Sequence, residues 1–119
     1  MNKADSLRVP EYLRHILEAI QRIDRYTGDM TEAGFLGDEK TQDAVIRNFE
    51  IIGEACNNIA KHHPDFAAGH PEVPWGFAYE MRNALAHGYF KVDLEIVWHT
   101  IHKYLPGLAE QARKLLAES

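Results

Sequence analysis

The run Val45-Ile46-Arg47-Asn48-Phe49-Glu50-Ile51-Ile52-Gly53-Glu54-Ala55-Cys56-Asn57-Asn58-Ile59 decides the fold. Val45, Phe49, Ile52, Cys56 and Ile59 recur at steps of four, three, four and three, which is one apolar seam along a helix. The spacing predicts a single long helix from about Asp38 to Lys61. Pro64 ends it, because proline disfavours helical backbone at the residue before it, His63. Cys56 sits on the seam and reads as a small buried hydrophobe.

The flanks repeat the pattern. Upstream, Leu13, Ile16, Leu17, Ile20 and Ile23 make one helical stripe, with Pro10 suited to a first turn and Gly28 to a stop. The segment from Met30 to Gly37 reads as a short helix or as a loop, with Phe35 and Leu36 anchored in the core. Downstream, Gly69, Pro71 and Pro74 mark the stretch from Asp65 to Pro74 as a loop. A third helix is expected from Pro74-Trp75, with Ala78, Met81 and Leu85 as its stripe and Gly88 as its stop. Asp93 is a good N-cap for a fourth helix carrying Leu94, Val97, Trp98, Ile101 and Leu105. Pro106-Gly107 breaks or kinks that helix. Leu108, Ala112, Leu115 and Leu116 mark a last one. Strand-like alternation is missing throughout. The fold class is therefore all-α, a four- to five-helix antiparallel bundle.

Composition narrows the function classes. A chain of 119 residues supports a single domain, residues 1–119. Eighteen acidic against 13 basic side chains give a net charge of −5, which argues against a broadly basic nucleic-acid coat. A local basic cleft stays open, because arrangement matters more than the sum. Cys56 is the only cysteine, so an intrachain disulfide and a cysteine-built zinc site are excluded. The start carries no signal-like apolar stretch, and no apolar run approaches the roughly 18 residues of a membrane span. A cytoplasmic protein without a membrane partner is expected.

The segment richest in chemistry is Met81-Arg82-Asn83-Ala84-Leu85-Ala86-His87-Gly88-Tyr89-Phe90. It holds a fixed cation, an amide, an imidazole and a phenol. On an ideal helix Arg82 and His87 lie about 140° apart. They converge only if the helix loosens near Gly88 or if two copies face each other. The plain alternative is an arginine paired with a carboxylate and a histidine capping a helix end. Tyr89 by itself reads equally as a half-buried tyrosine packing near that end.

Arg82-Asn83-x-x-x-His87-x-Tyr89 resembles the R-x4-H-x-Y motif of HEPN-domain proteins of the HepT type, the toxin components of toxin–antitoxin pairs. The segment Arg47 to Ala55, Pro74-Trp75 and Val97-Trp98 also fit that family, and the likeness runs from about Val9 to Leu108. The resemblance implies a HEPN-type bundle that forms homodimers and a ribonuclease that uses neither metal nor cofactor. RNA is the implied substrate and DNA is not expected. Arg82 and His87 would be catalytic, with Asn83 assisting. It further implies a nucleotidyltransferase antitoxin, MntA-like, that transfers AMP to Tyr89. The alternative is a non-catalytic interaction module that binds and regulates such a nucleotidyltransferase.

Other side chains carry weaker signals. Glu54 reads as lying close to the seam, either partly buried and holding Arg82 or at the edge in water. His99 and His102 share a helical face, and His62 and His63 are adjacent, but neither pair brings the three or four ligands of a metal site. Trp75, Trp98, Phe49 and Phe77 read as core or interface anchors. Arg14, Arg22 and Arg25 form a solvated face or an RNA-facing rim.

Overall fold

The computed structural model of the chain describes residues 7–76, 81 and 93–119. Among these residues the secondary structure is helical throughout, and the fold is all-α. Helix α1 spans Val9–Thr27 and opens on an extended Arg8, with Pro10 in its first turn. Its stripe is fully committed to the core: Leu13, Ile16, Ile20 and Ile23 are each at most 2% exposed. Gly28 closes α1 in a right-handed conformation. The glycine is needed for closeness rather than handedness, since a Cβ there would lie 2.8 Å from the carbonyl oxygen of Asp24.

Helix α2, Glu32–Leu36, is a single turn and a half capped by Thr31, whose hydroxyl accepts from the Gly34 N–H at 3.1 Å. Phe35 is entirely buried. Leu36 corrects an expectation. It points outward at 37% exposure, because a helix this short buries only one of two successive residues. Gln42 closes the far end of α2 by donating to the carbonyls of Phe35 and Leu36 at 2.9 and 3.0 Å.

Helix α3, Glu39–His62, is the long helix read from the seam. Asp38 caps it by accepting from the Thr41 N–H at 3.1 Å. Val45, Phe49, Ile52, Cys56 and Ile59 are all buried. Asn48 is buried beside them, with its amide donating to the Ala44 carbonyl at 2.8 Å and accepting from Arg22 Nη1 at 3.4 Å.

The stretch after α3 departs from the expected loop. Pro64–Gly69 forms a further short helix, α4. Pro64 ends one helix and opens the next, because its missing N–H costs nothing at a first helical position. Phe66 and Ala67 then pack against the core.

Asp93 caps α5, Leu94–Lys103, with one carboxylate oxygen accepting from the N–H groups of Glu95 and Ile96 at 3.1 and 3.2 Å. Val97 and Ile101 are buried, and Leu94 and Trp98 are half-buried on the same side. The expected break falls at Tyr104, after which α6, Leu105–Ala117, starts with Pro106 in its first turn. Leu105, Leu108, Ala112 and Leu115 are buried and Leu116 half-buried. Helix α1 lies along both α3 and α6, while α2 touches α3 and α5. The short α2 takes the helical one of the two readings open for Met30 to Gly37, and α4 is the helix that was not expected. Of the expected third helix, Trp75, Gly76 and Met81 are helical, and Ala78, Leu85 and Gly88 lie outside the described residues. Among the described residues no helix is long and apolar enough to cross a membrane.

Candidate functional site

Arg82, Asn83, His87 and Tyr89 lie outside the described residues, as does Phe77. What is described is how the chain is held on either side of them. On the N-terminal side Val73 and Trp75 are 3% and 9% exposed. The Trp75 indole N–H donates to the carbonyls of Ala67 and His70, at 3.2 Å each. Its ring stands 6.3 Å from that of Phe66. Met81, the residue before Arg82, is half-buried against the core. On the C-terminal side the described chain resumes at Asp93, the cap of α5. The described residues that flank the candidate segment, Trp75 and Asp93, are thus both fixed to the scaffold.

Glu54 is described, and of the two readings open for it, partly buried or in water, it takes the second. Its side chain is exposed. Nine residues after Val45 is about two and a half helical turns, so Glu54 points away from the seam rather than along its edge. It lines a recess of about 480 Å³ between α1 and α3, together with Tyr12, His15, Arg47, Glu50 and Asn58. Arg47 Nη1 lies 3.6 Å from Glu50 Oε1. Leu7 closes one end of the recess. Its N–H donates to the Tyr12 hydroxyl at 3.0 Å, and its carbonyl sits 2.8 Å from His63 Nε2. Sequence reasoning missed this recess. Its signal was a polar row at steps of three and four on the α3 face opposite the seam, at Arg47, Glu50, Glu54 and Asn58.

The recess sets Arg47 and the imidazole of His15 beside two carboxylates, Glu50 and Glu54. An RNA phosphate finds no excess of positive potential there. The arginines of α1 divide. Arg14 and Arg25 are exposed, with Arg25 5.8 Å above the Tyr26 ring, while Arg22 is turned toward Asn48 and Glu18.

Two further histidines, His70 and His102, are tied locally. His102 Nδ1 lies 2.9 Å from the Trp98 carbonyl, with its ring 4.4 Å from the indole. His70 pairs with Glu72 at 3.1 Å, and these contacts, chiefly a backbone hydrogen bond and then His70, hold the Glu72 carboxyl below its usual range. Among the described residues no three His, Cys, Asp or Glu side chains gather as metal ligands. Burial pushes the Cys56 thiol up to about 12 and so deprives it of nucleophilic character. Tyr104 is raised too, by burial first and then by Cys56 beside it.

Comparison with known proteins agrees with this scaffold. The model of the family described as ribonuclease HepT-like matches residues 16–115. A protein of Thermococcus cleftensis named "Probable ribonuclease HepT" is 45% identical over 88% of the chain and 93% of its own length. The Methanocaldococcus jannaschii protein named "Putative RNase MJ0127" is 37% identical over 92% of the chain and 88% of its own length. A second protein of that organism, named "Gamma-glutamylcyclotransferase and putative RNase MJ0434", is 43% identical over 90% of the chain, which spans 47% of that protein. No solved structure matches. The chain belongs to the ribonuclease HepT-like family.

Proposed function

We propose that this chain is the ribonuclease toxin of a HEPN/nucleotidyltransferase toxin–antitoxin pair and that it cleaves RNA without a metal. One observation carries the reading. The whole Arg82-Asn83-x-x-x-His87-x-Tyr89 motif lies inside the 16–115 match to the ribonuclease HepT-like family. The anchoring of the chain at Trp75 and Asp93 supports it.

The chemistry asks for few groups. The ribose 2′-OH attacks the adjacent phosphorus, and the bond to the 5′ oxygen breaks. The 2′ proton goes to a base, and the leaving 5′ oxygen takes a proton from an acid, giving a cyclic phosphate and a 5′ hydroxyl. An unperturbed histidine titrates near neutrality, and His87 is assigned the role of base or acid. Arg82 stays protonated and grips two phosphate oxygens as charge builds on them. Asn83 hydrogen-bonds the phosphate or orients His87. One chain supplies one histidine in the motif, so a homodimer supplies both base and acid. It also concentrates two arginines in one cleft despite the net charge of −5. Glu54 is a supporting residue on the α3 face that borders the recess.

Control is assigned to Tyr89. A nucleotidyltransferase partner delivers AMP from ATP to its hydroxyl: the tyrosine oxygen bonds to the α-phosphorus, pyrophosphate leaves and the phenol loses its proton. The added phosphate brings negative charge and bulk to the motif that holds Arg82 and His87, and it repels and blocks an RNA phosphate.

The test is RNA cleavage in excess EDTA by wild type, Arg82→Ala and His87→Ala, after an intact-mass measurement that excludes AMP on the wild type. Cleavage by wild type and its loss in both variants supports the reading. A folded, unmodified wild type that cuts no RNA overturns it, in favour of an interaction module that binds a nucleotidyltransferase.

A further inference from the structure

We infer that His63 is a positioning residue for the candidate catalytic segment: its imidazole ties the short helix α4 to the backbone ahead of α1, and α4 in turn holds Trp75. The part that concerns catalysis rests on the reading above, whereas the tie itself is independent of it.

His63 belongs to neither of the helices it joins. It stands between α3 and α4 at φ −134° and ψ 58°. Its N–H donates to the Ile59 carbonyl at 2.8 Å, and its own carbonyl accepts from the Ala67 N–H at 3.1 Å. The ring adds a third bond, to a distant part of the chain. Nε2 lies 2.8 Å from the carbonyl oxygen of Leu7, 56 residues away in sequence. A carbonyl oxygen can only accept, so that ring nitrogen carries the proton. Leu7 is held on its other side as well, its N–H donating to the Tyr12 hydroxyl at 3.0 Å. Tyr12 is 5% exposed, and its ring stands edge-on to that of His63 with centroids 6.2 Å apart. The anchor is therefore firm where it meets α1.

Helix α4 is held lightly by comparison. None of its six residues is buried, so core packing contributes little to its placement. Its position depends on ties at its two ends, the His63 ring at the first and the Trp75 indole at the last. Ala67, whose N–H donates to the His63 carbonyl, offers its own carbonyl to the Trp75 indole at 3.2 Å. A run of four hydrogen bonds thus leads from Tyr12 through Leu7, His63 and Ala67 to Trp75, six residues before Met81. Releasing the imidazole frees α4 to shift, and Trp75 shifts with it.

Trp75 carries the readout. The chain has two tryptophans and so gives two indole N–H signals by NMR, and Trp75→Phe identifies the one that belongs to Trp75. In His63→Ala the Trp75 indole N–H should exchange with solvent about five- to tenfold faster, the effect of losing one hydrogen bond. Trp98, on α5 and outside this run, should exchange as in wild type. His63→Gln should restore slow exchange, because the glutamine amide nitrogen donates from nearly the place of Nε2. On the ribonuclease reading kcat should fall in His63→Ala and recover in His63→Gln. Tyr12→Phe deletes the acceptor of the Leu7 N–H and should move Trp75 in the same direction; it decides by the same criterion should His63→Ala fail to fold. Wild-type exchange at Trp75 in His63→Ala, an equal rise at both indoles, or no recovery in His63→Gln overturns the inference. A response confined to Trp75 in a protein that cuts no RNA keeps the tie and removes the ribonuclease reading. Cleavage as fast in His63→Ala as in wild type keeps the ribonuclease reading and overturns the positioning role.

Discussion

The indole N–H of Trp75 reaches the carbonyl oxygen of Ala67, 3.2 Å away on α4, and shares itself with His70 at the same distance. Six residues before Met81, the chain is thus tied to the helix that follows α3. Trp75→Phe keeps most of the ring and deletes the donor, leaving two buried-side carbonyls with one partner fewer. A loss of about 1–2 kcal/mol in stability is expected. On the proposed ribonuclease reading, RNA cleavage should fall about tenfold or more, because small misplacements of catalytic groups are costly. Melting temperature and cleavage rate, measured on one preparation, check both. Unchanged cleavage in a destabilised protein would show that this anchor serves the fold alone.

Asp93 makes the matching tie on the other side. Its carboxylate accepts from Glu95 and Ile96, so Asp93→Ala leaves two N–H groups of the first α5 turn without it. The expected cost is about 1 kcal/mol, or a fall of about 4 °C in melting temperature for a chain this long. Asp93→Asn should recover most of it, since an amide oxygen still accepts. Thermal melting of the three proteins is the check.

These two ties differ in how far they could be read beforehand. The Asp93 cap and the seams of α1, α3 and α5 were legible, because a cap and a period of 3.6 are local properties of a sequence. The α4 helix was not, since Pro64 serves as a stop for one helix and a first residue for the next. Leu36 was misassigned because a one-and-a-half-turn helix shows no period. For Glu54 the sequence leaves burial open, and the recess it lines exists only once α1 lies on α3. The candidate catalytic residues stood out by type and by resemblance, whereas Tyr12 and His15 on α1 and Arg47 on α3 are far apart in sequence and share no motif.

Cys56 gives a prediction about pH. Burial raises its thiol from 9.0 to about 12. The folded state therefore holds this proton to higher pH than the unfolded state does. The associated stability is complete below about pH 9 and is lost as pH rises toward 12. Tyr104 is raised by the same burial and acts in the same direction. Denaturant midpoints should fall between pH 9 and 11, and less steeply in Cys56→Ala. A disulfide reagent at pH 8 should leave the native thiol unmodified and label it fully on unfolding. Rapid labelling of native protein would contradict the buried position.

Arg22 reaches two partners, and their geometries rank them. The contact with Glu18 is 4.0 Å long, between side chains 39% and 57% exposed, so water and salt screen it. The contact with Asn48 is a 3.4 Å hydrogen bond to an amide only 4% exposed. That amide oxygen is displaced from water whether or not Arg22 is present. Arg22→Met should therefore cost about 1 kcal/mol, since it strands a buried acceptor while keeping the aliphatic stem that packs beside α3. Glu18→Gln should stay within about 0.5 kcal/mol and lose even that at high salt. Denaturant unfolding of both variants at two salt concentrations separates the two roles. Equal, salt-sensitive losses would mean that Arg22 serves the surface pair and that its hydrogen bond to the Asn48 amide oxygen adds nothing to stability.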